Sequence, residues 1–458
     1  MTTPNSVVDM NGTRFVLGRV LGTGGQGAVY EAEGGRFAVK LLPRAHGSDF
    51  KRVERQFLFL KQLELDGVPI ARPLSVLRQP HTGYVMPLLQ DMSPIAQLML
   101  PPPGCRSLLK WYREGGGLKR RLNCLASAAQ ALAGLHSLGL CYGDVSPANI
   151  FIPVASSDFE AWLIDSDNLR FDSSISSQHF YTPGFGAPEV VNRSGTTSTL
   201  SDAHSTAVLV FQTLAQLHPL IGDAVHDGEP ELEERAYAGK LPWVDHPTDA
   251  ANRSTRGVPR EVALSSGLNE LAARAFGAGL LDKTRRPSVG EWADALRRAA
   301  ANCLTCSQCN GSFYRQADYC PWCGAPRGTF VYGKAHTFLA ASRSLLRSPD
   351  GRARVEDSFA ISEGDTSTLL ANTAYGLSAK NRRSPILRVR NDGKSLVIER
   401  LAEEALIEIR IGTKRGQLKT DPLAVPIDAS IRQLAIHFGA DGDDHRIVDF
   451  SVEPGGRA

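Results

Sequence analysis

Apolar and polar residues alternate along residues 14–42, and this pattern predicts antiparallel strands. The runs are RFVLGRVLG, GAVYEAE and RFAVKLL, and Gly34 and Gly35 join the last two as in a hairpin turn. Apolar residues then recur at helical spacing over residues 50–65, and a further strand pattern covers residues 83–90. We therefore expect the chain to begin with a small β-rich lobe.

The pattern becomes helical from about residue 105 to about residue 300, as in LNCLASAAQALAGLHSLG and VGEWADALRRAA. Beyond about residue 330, short alternating runs such as ILRVRND, SLVIERL and HRIVDFSV predict an all-β sandwich or small barrel. No stretch approaches roughly 18 uninterrupted apolar residues. The best candidate, STAVLVFQTLAQLHPLIG, contains Gln, His and Thr, so it predicts a buried helix.

Length and charge narrow the classes of protein to consider. A chain of 458 residues is long enough for roughly two to four domains. Its net charge of +3 is too small to indicate nucleic acid or an anionic membrane as a partner. The opening MTTPNSVVDMNG lacks the basic and apolar parts of a signal peptide. We expect a cytoplasmic protein without membrane contact.

The run LGTGGQGAVY contains Gly22, Gly24 and Gly27 in G-x-G-x-x-G spacing. In a dinucleotide-binding fold such glycines lie between a strand and a helix, whereas this run continues into the strand pattern GAVYEAE. Glycines in a strand–turn–strand allow backbone amides to lie close over phosphate groups. We assign these glycines, with Leu21 and Val29 beside them, to a nucleotide site.

The next predicted strand contains the run FAVK, which ends at Lys40. Alternate side chains on a strand share a face, so Ala38 and Lys40 should point together. Ala38 would then lie under an adenine ring, and Lys40 would reach the α- and β-phosphates. A lysine on a solvated strand face is the alternative.

Two polar motifs follow apolar strands further along the chain. In GDVSPANI, Asn149 stands five residues after Asp144, and in LIDSDN the strand ends at Asp165. Asp144 would orient or accept the proton of an attacking hydroxyl, and Asn149 and Asp165 would hold Mg²⁺ against the phosphates. Asp, Ser, Pro and Asn are also common turn residues, so GDVSPANI alone is a weak signal.

Over about residues 14–300 the chain resembles the eukaryotic-like (Hanks-type) protein kinases. The motifs occur in that family's order, and they are GTGGQGAV, AVK, GDVSPANI, LIDSDN, TPGFGAPE, LSDAHSTAVLVF and DKTRRPSVGEW. The resemblance implies an α+β bilobal kinase fold with an N-lobe at 14–89 and a C-lobe at 90–300. It also implies a protein serine/threonine kinase that uses ATP and Mg²⁺ and transfers the γ-phosphoryl group directly to a protein hydroxyl.

The resemblance places an adenine site after the strand pattern at residues 83–90. Met86 falls at the family's gatekeeper position. The carbonyl of Pro87 should accept from adenine, and the N–H of Leu89 should donate to it. Phe151 is assigned to the same cofactor site.

Two further contacts are implied by the resemblance. Glu189 of TPGFGAPE should pair with Arg286 of DKTRRPSVGEW and tie the activation segment to the large lobe. Asp202 should cap the GDVSPANI loop from the helix that follows.

Several positions depart from the family pattern. Gly143 stands where the family has an arginine that reads an activation-loop phosphate, so we expect activation that does not depend on that phosphate. Ser146 replaces a lysine that would neutralise phosphate charge, and Ser166 replaces the phenylalanine of D-F-G. The Ser-rich loop FDSSISSQHFYTP is either simply flexible or offers modification sites at Ser173, Ser174, Ser176 and Ser177.

The helix predicted over residues 50–65 leaves the carboxylate partner of Lys40 ambiguous. Apolar register places Gln56 where the family has glutamate, whereas chemistry favours Glu54, which can form an ion pair. The two residues are about 200° apart on a helix, so at most one faces the site. We predict Glu54 as the partner and count it among the cofactor-binding residues.

Five cysteines crowd into residues 303–323. Two C-x-x-C steps separated by ten residues suit tetrahedral Zn²⁺ held by four thiolates, and we assign Cys306, Cys309, Cys320 and Cys323. Cys303 could replace Cys306 but is expected to be spare. Residues 303–326 resemble a zinc ribbon, which would draw its folding energy from the metal.

The last two modules carry weaker functional signals. Basic residues around the ribbon are too few to indicate nucleic acid, so we expect a structural or protein-docking role. Residues 330–458 form the predicted β-rich module, in which His437 and His445 are expected to be structural. A phosphopeptide-binding role for this module is an alternative that nothing in the sequence establishes.

Two other functions stay open at this point. A small-molecule kinase of the aminoglycoside-phosphotransferase type also has Gly before the Asp, but TPGFGAPE with Arg286 favours a protein kinase. A pseudokinase scaffold would explain the substitutions at Gly143, Ser146 and Ser166. Against it, the four residues with predicted catalytic roles are all retained.

A kinase followed by a four-cysteine ribbon and a further C-terminal module is similar to bacterial stress-response kinases of the tellurite-resistance-associated triads. These kinases are encoded beside metal-dependent protein phosphatases and von Willebrand A-domain proteins. The resemblance is one of arrangement, and it implies a bacterial signalling or stress role with those two protein classes as partners.

Overall fold

The protein is described by a computed structural model that covers residues 5–24, 27–43, 48–155, 158–172, 181–376, 384–403 and 405–456. The predicted modification sites at Ser173, Ser174, Ser176 and Ser177 lie outside the described residues. No helix among the residues described is long and apolar enough to cross a membrane.

The chain forms two compact units. The first contains Met1–Cys105, Asn123–Arg260 and Ser266–Ala295. The second contains Arg106–Leu122, Glu261–Ser265 and Leu296–Ala458. Two internal segments of the predicted kinase domain at 14–300, together with its last five residues, thus belong to the second unit.

The first unit begins with an antiparallel sheet, as the alternating pattern predicts. Its strands are β1 (Ser6–Val8), β2 (Arg14–Gly24), β3 (Gly27–Ala32), β4 (Phe37–Leu41), β5 (Ser75–Val76) and β6 (Gly83–Pro87). They lie in the order β1-β2-β3-β4-β6-β5. Gly34 and Gly35 connect β3 to β4 and both have positive φ angles, which glycine adopts without steric cost.

Strand β4 illustrates how the alternation sorts side chains between two faces. Phe37, Val39 and Leu41 contribute to a hydrophobic cluster with residues of the neighbouring strands. Ala38 and Lys40 are therefore on the opposite face of the sheet. In register, Ala38 pairs with Met86 of β6, and Lys40 pairs with Tyr84.

The middle of the chain is mainly helical, with short strands between the helices. The helices are α1 (Ser48–Gln62), α2 (Ala96–Met99), α3 (Leu108–Glu114), α4 (Gly117–Ser137), α5 (Pro188–Val191), α6 (Thr199–Ala215), α7 (Asp223–His226), α8 (Pro230–Tyr237), α9 (Arg260–Ala263), α10 (Ser266–Ala273), α11 (Gly279–Leu281) and α12 (Val289–Ala301). The short strands are β7 (Met92–Pro94), β8 (Leu140–Cys141), β9 (Ile150–Pro153), β10 (Trp162–Leu163) and β11 (Arg170–Phe171).

Helix α6 is buried along nearly its whole length. Ser198 caps its first turn, because the Ser198 hydroxyl accepts from the N–H of Ser201 and the Ser201 hydroxyl accepts from the N–H of Ser198. The apolar run in this helix is therefore part of a protein core, as its Gln, His and Thr residues predict.

Glu189 and Arg286 form the ion pair that the family resemblance implies. The two terminal nitrogens of Arg286 each donate to one carboxylate oxygen of Glu189 at 2.8 Å. The Arg286 Nε donates to the carbonyl of Gly279, and a terminal nitrogen also reaches the carbonyl of Leu200. Burial tends to raise the pKa of Glu189, but the hydrogen bonds and charge of Arg286 outweigh it and hold that pKa below its ordinary value.

The second unit is rich in β-structure beyond residue 302. Its strands are β12 (Cys303–Thr305), β13 (Ser312–Tyr314), β14 (Phe330–Leu339), β15 (Ser344–Leu345), β16 (Asp357–Ser362), β17 (Thr366–Leu370), β18 (Pro385–Asn391), β19 (Ser395–Arg400), β20 (Glu408–Ile411), β21 (Lys414–Gln417), β22 (Leu423–Pro426), β23 (Leu434–His437) and β24 (His445–Glu453). Helix α13 (Ala371–Tyr375) follows β17.

Two antiparallel sheets account for most of these strands. One runs β15-β14-β24-β23-β20-β21, with β16 also paired to β14, and the other runs β17-β18-β19-β22. Val331 and Ile436 of the first sheet and Leu387 and Ile398 of the second belong to one hydrophobic core. The alternating runs beyond residue 330 thus bury one face of each sheet.

The segment Arg106–Leu122 packs on the cysteine-rich hairpin within the second unit. Tyr112 stacks on Trp322 with ring centroids 5.5 Å apart. The Ser312 hydroxyl accepts from the backbone N–H of Lys119 at 2.9 Å, and the Lys119 ammonium lies 3.4 Å from Asp365. These contacts explain why the segment belongs to this unit.

We predict that Arg286→Ala destabilises the first unit by about 3–5 kcal/mol, because it leaves the Glu189 carboxylate without its partner. The measurement is the free energy of the first unfolding transition in urea. Arg274→Ala is the matched control, since Arg274 and Glu291 form an exposed pair and its loss should cost less than about 1 kcal/mol. Equal losses in the two variants would contradict the prediction.

Candidate active site

The β8–β9 loop, residues 142–149, carries the predicted site residues Asp144 and Asn149. Helix α6 holds this loop through Asp202. Asp202, in the first turn of that helix, accepts hydrogen bonds from the backbone N–H groups of Tyr142 at 2.7 Å and Gly143 at 3.0 Å. Because Asp202 is buried, water would not replace its carboxylate, and these two N–H groups would be left without an acceptor if it were removed. The predicted capping of the loop by Asp202 is confirmed.

Gly143 occupies a backbone conformation that disfavours the arginine of the family pattern. Its φ angle is +84°, and a Cβ atom there would lie 3.2 Å from the backbone oxygen of Asn168. The backbone conformation of the loop therefore favours glycine over arginine at position 143.

The Asp144 carboxylate is held from two sides by hydrogen-bond donors. Asn149 Nδ2 donates to Oδ2 at 2.9 Å, and the Thr182 hydroxyl donates to Oδ1 at 2.8 Å. Burial raises the pKa of Asp144, these hydrogen bonds oppose the rise, and the charge of Asp165 adds to it. A carboxylate oriented in this way is suited to accept a proton from a neighbouring hydroxyl.

Thr182 is a site residue that sequence reasoning misses. It stands at the start of TPGFGAPE, a motif whose other residues attract attention through Glu189. The only available signal is its position directly before the proline of that motif. Its contact with Asp144 joins the activation segment to the β8–β9 loop.

Lys40 lies in the interior of the protein and contacts two carboxylates. Its Nζ is 2.6 Å from Asp165 Oδ1 and 2.6 Å from Asp167 Oδ2, and its side chain is 6% exposed. The alternative of a solvated strand lysine is therefore wrong. Burial tends to lower the pKa of the ammonium, but the charges and hydrogen bonds of Asp167 and Asp165 outweigh it and raise the pKa above its ordinary value.

The structure corrects the predicted pairing of Glu54 with Lys40. In the part of the chain that is described, the ion pairs of Lys40 are with Asp165 and Asp167, and none joins it to Glu54. Gln56 of α1 instead reaches the turn after Asp165, where its Nε2 donates to the carbonyl of Leu169 at 3.0 Å. The apolar register sets the rotation of the helix, because Phe57 and Leu60 are buried.

Asp165 stands at a turn with an unusual backbone. Its φ and ψ angles are 59° and 70°, the left-handed region that non-glycine residues rarely occupy, and a single 3-10 turn, Ser166–Asn168, follows. Such strain costs on the order of 1–3 kcal/mol and tends to occur at functional sites. The turn brings the side chains of Asp165 and Asp167 to the same ammonium group.

A cavity of about 790 Å³ lies beside these residues, within the size range of small-molecule sites. The predicted cofactor-binding residues that line it are Leu21, Gly22, Val29, Ala38, Met86, Pro87, Leu89 and Phe151. Gly24, Gly27, Lys40 and Glu54 are outside its lining. Ala71 and Ile164 also line it and were not predicted, although Ile164 directly precedes Asp165 in LIDSDN.

The oxygen atoms near the cavity fit the preferences of Mg²⁺. Asn149 uses its Nδ2 to donate to Asp144, and its Oδ1 accepts no hydrogen bond from any residue that the structure describes. Asp165 uses one carboxylate oxygen for Lys40. An amide oxygen and a carboxylate oxygen are ligands that Mg²⁺ takes readily.

The four predicted zinc ligands come together in the second unit. The Sγ atoms of Cys306, Cys309, Cys320 and Cys323 all lie within 4.8 Å of one another. Cys306 and Cys323 are 3.7 Å apart, as are Cys309 and Cys320. A tetrahedron with metal–sulfur bonds of about 2.3 Å has edges of about 3.8 Å, so the spacing suits Zn²⁺.

Cys303 lies outside this cluster. It is on β12, and its thiol contacts the carbonyl of Ala299 at 3.4 Å. Its Sγ is not among the four that lie within 4.8 Å of one another, so the geometry favours Cys306 over Cys303 as the ligand.

Residues 15–271, more than half of the chain, match the family model described as the protein kinase domain. The chain belongs to the protein kinase family. The chain is similar to serine/threonine-protein kinase pkn2 from Myxococcus xanthus, with 27% identity over 65% of this chain and 34% of that protein. Protein kinase YegI from Escherichia coli is 24% identical over 72% of this chain and 52% of YegI.

A third bacterial relative is the DNA damage-responsive serine/threonine-protein kinase RqkA from Deinococcus radiodurans. It is 27% identical over 46% of this chain and 31% of RqkA. This chain therefore spans about a third to a half of the length of these curated relatives. The relatives support a bacterial kinase of the eukaryotic-like type.

We predict that Asp202→Ala loosens the β8–β9 loop, because two backbone N–H groups lose a buried acceptor at a cost of about 1–3 kcal/mol. Hydrogen exchange of the Tyr142 and Gly143 amides, followed by mass spectrometry, should accelerate. Asp172→Ala is the control, since that exposed carboxylate bonds Thr199 and not the loop. Unchanged exchange in Asp202→Ala would show that the loop is held by other contacts.

Proposed function

We propose that this chain is a protein kinase that uses ATP and Mg²⁺ and phosphorylates serine or threonine hydroxyls of a protein. One observation carries the proposal. Lys40 contacts Asp165, 125 residues away in sequence, and Asn149 donates to Asp144, whose pKa is raised by burial and in part by the charge of Asp165. The cavity is lined by their neighbours in sequence Ala38, Ala148 and Ile164. The charges and hydrogen-bonding groups of the four site residues are those that phosphoryl transfer needs.

Each residue has a distinct proposed role. Asp144 would orient the attacking hydroxyl and accept its proton as the bond between the γ-phosphorus and the bridging oxygen of ATP breaks. Lys40 would neutralise phosphate charge next to the cavity. Asn149 and Asp165 would hold Mg²⁺, which, when bound, neutralises the charge on the phosphates.

A protein is favoured as the substrate over a small molecule. The Glu189–Arg286 pair fixes the activation segment, and Thr182 of the same segment contacts Asp144. This arrangement supports a surface for a peptide next to the proposed base. The positive φ of Gly143 supports activation without a phosphate-reading arginine.

A pseudokinase scaffold is the second candidate. Ser146 replaces the expected lysine and is buried, so no cation stands at that position. This candidate predicts nucleotide binding without phosphoryl transfer, and it can therefore be separated from the first by experiment.

We also propose that the four-cysteine cluster is a structural zinc ribbon. The sulfur–sulfur distances suit tetrahedral Zn²⁺ held by four thiolates. We further propose that a metal-dependent protein phosphatase and a von Willebrand A-domain protein are partners of this chain, as its domain arrangement implies. Copurification with each candidate partner would test them.

We predict that Asp144→Asn lowers kcat for autophosphorylation by about 10²–10⁴-fold, because the amide cannot accept the proton of the hydroxyl. The dissociation constant for Mg-ATP should change only a few-fold, because the proposed role of Asp144 is toward the acceptor. The measurements are transfer of radiolabelled phosphate and calorimetric titration with Mg-ATP, with exposed Asp172→Asn as the control.

The outcomes separate the candidate functions. Tight binding of Mg-ATP by the unaltered chain without transfer to protein would favour the scaffold. Transfer to an aminoglycoside but not to protein would favour the small-molecule kinase. Full activity in Asp144→Asn would remove Asp144 from the mechanism.

We predict that the purified chain contains about one zinc ion, and that Cys309→Ser combined with Cys320→Ser removes it. Elemental analysis by mass spectrometry measures the zinc content. Cys303→Ser is the matched control and should keep the metal, because Cys303 lies outside the sulfur cluster. Zinc content that is equal in all three proteins would rule out the assigned ligands.

A further inference from the structure

The charge that faces Lys40 comes from an unexpected part of the chain. In the kinase family the partner of this lysine is a glutamate on the helix of the N-lobe, and the position of that helix controls activity. Here the helix is α1, and its residue Gln56, a neutral amide, donates to the Leu169 carbonyl. The residue at the last position of the D-F-G motif, normally glycine, is Asp167.

We propose that Asp167, in place of a carboxylate on helix α1, is the residue that positions Lys40 for binding the phosphates of the nucleotide. The proposal rests on the proposed function, since it concerns the same lysine and the same nucleotide. Asp167 is a positioning residue, because it acts on the nucleotide through Lys40.

The two carboxylates around Lys40 are not equivalent. The side chain of Asp165 is 25% exposed and that of Asp167 is 14% exposed, and both lie 2.6 Å from the ammonium. The proposed function assigns Asp165 to Mg²⁺. When Asp165 serves the metal, Asp167 is the carboxylate that remains beside the buried ammonium and offsets the cost of its burial.

The surrounding contacts hold Asp167 in place. The 3-10 turn Ser166–Asn168 is closed by the N–H of Leu169, which donates to the carbonyl of Ser166. The Gln56 amide then binds the carbonyl of Leu169 and fixes this turn to α1. Tyr84, which is in register with Lys40 on β6, is completely buried, so the sheet next to Lys40 is closed to solvent at this position.

In the family, the helix glutamate both carries the charge and connects the lysine to the helix, whereas in this chain two residues have these roles. Asp167 supplies the negative charge, and Gln56 supplies the attachment to the helix. Lys40 is therefore held by a turn next to the β8–β9 loop, and its position does not require an inward movement of α1 to deliver a carboxylate. Independence from the movement of α1 agrees with the replacement of the phosphate-reading arginine by Gly143, because both changes remove a control that the family uses.

The test compares carboxylate-to-amide changes at three positions in the full chain. Asp167→Asn should weaken Mg-ATP binding and raise KM for ATP by about tenfold or more, with a smaller change in kcat. Glu54→Gln should change both constants less than about twofold, because Glu54 does not contact Lys40. Asp172→Asn, a change of the same kind at a surface carboxylate, is the matched control.

Two further variants distinguish a specific role of Asp167 from misfolding of the chain. Asp167→Gly combined with Gln56→Glu restores the family arrangement, and it should bind Mg-ATP more tightly than Asp167→Gly alone. Asp167→Glu should keep binding closer to the unaltered chain than Asp167→Asn does. A purely structural role for Asp167 would lower the melting temperature without this pattern of rescue.

The outcomes are distinguishable from failure of the proposed function. If the unaltered chain binds Mg-ATP but transfers no phosphate, the kinase function fails while the binding constants still decide the role of Asp167. Equal Mg-ATP affinity in Asp167→Asn and the unaltered chain overturns the inference and leaves the function intact. A loss of affinity in Glu54→Gln as large as that in Asp167→Asn also overturns it.

Discussion

The buried ammonium group of Lys40 is the constraint on which the candidate active site depends. A lone charge in the protein interior is strongly unfavourable, so the fold must bring negative groups to it. Asp165 and Asp167 do so from 125 and 127 residues away in the sequence. Strand β4 and the turn at residues 165–168 are thereby held together, and the cavity lies beside that junction.

The same principle organises the rest of the first unit. Asp202 is buried and satisfies two backbone N–H groups of the β8–β9 loop, and Arg286 is buried and satisfies both oxygens of Glu189. Both of these buried charges have partners from distant parts of the chain, and both fix a segment that has little regular structure of its own. Ion pairs of this kind specify geometry more than they add stability, because desolvation offsets much of their attraction.

The second unit depends on different physics. Its two sheets share a large apolar core, which needs no metal to form. The cysteine-rich hairpin packs in a smaller cluster, which it completes with residues of the large sheet such as Phe330 and Ala360. Such a small core suits a module in which thiolate–metal bonds supply part of the folding energy.

Local features could be predicted from the sequence because they depend on near neighbours. Strand alternation, the Gly34–Gly35 turn, the spacing of the four cysteines and the motifs that carry Asp144, Asn149 and Asp165 need only a few residues to be recognised. Signals in the sequence conflict between Gln56 (apolar register) and Glu54 (charge), and the tertiary structure decided for Gln56, because burial of Phe57 and Leu60 sets the rotation of α1. It also decided that Asp167 meets Lys40 and Thr182 meets Asp144, since such contacts join residues whose separation in sequence carries no periodic signal.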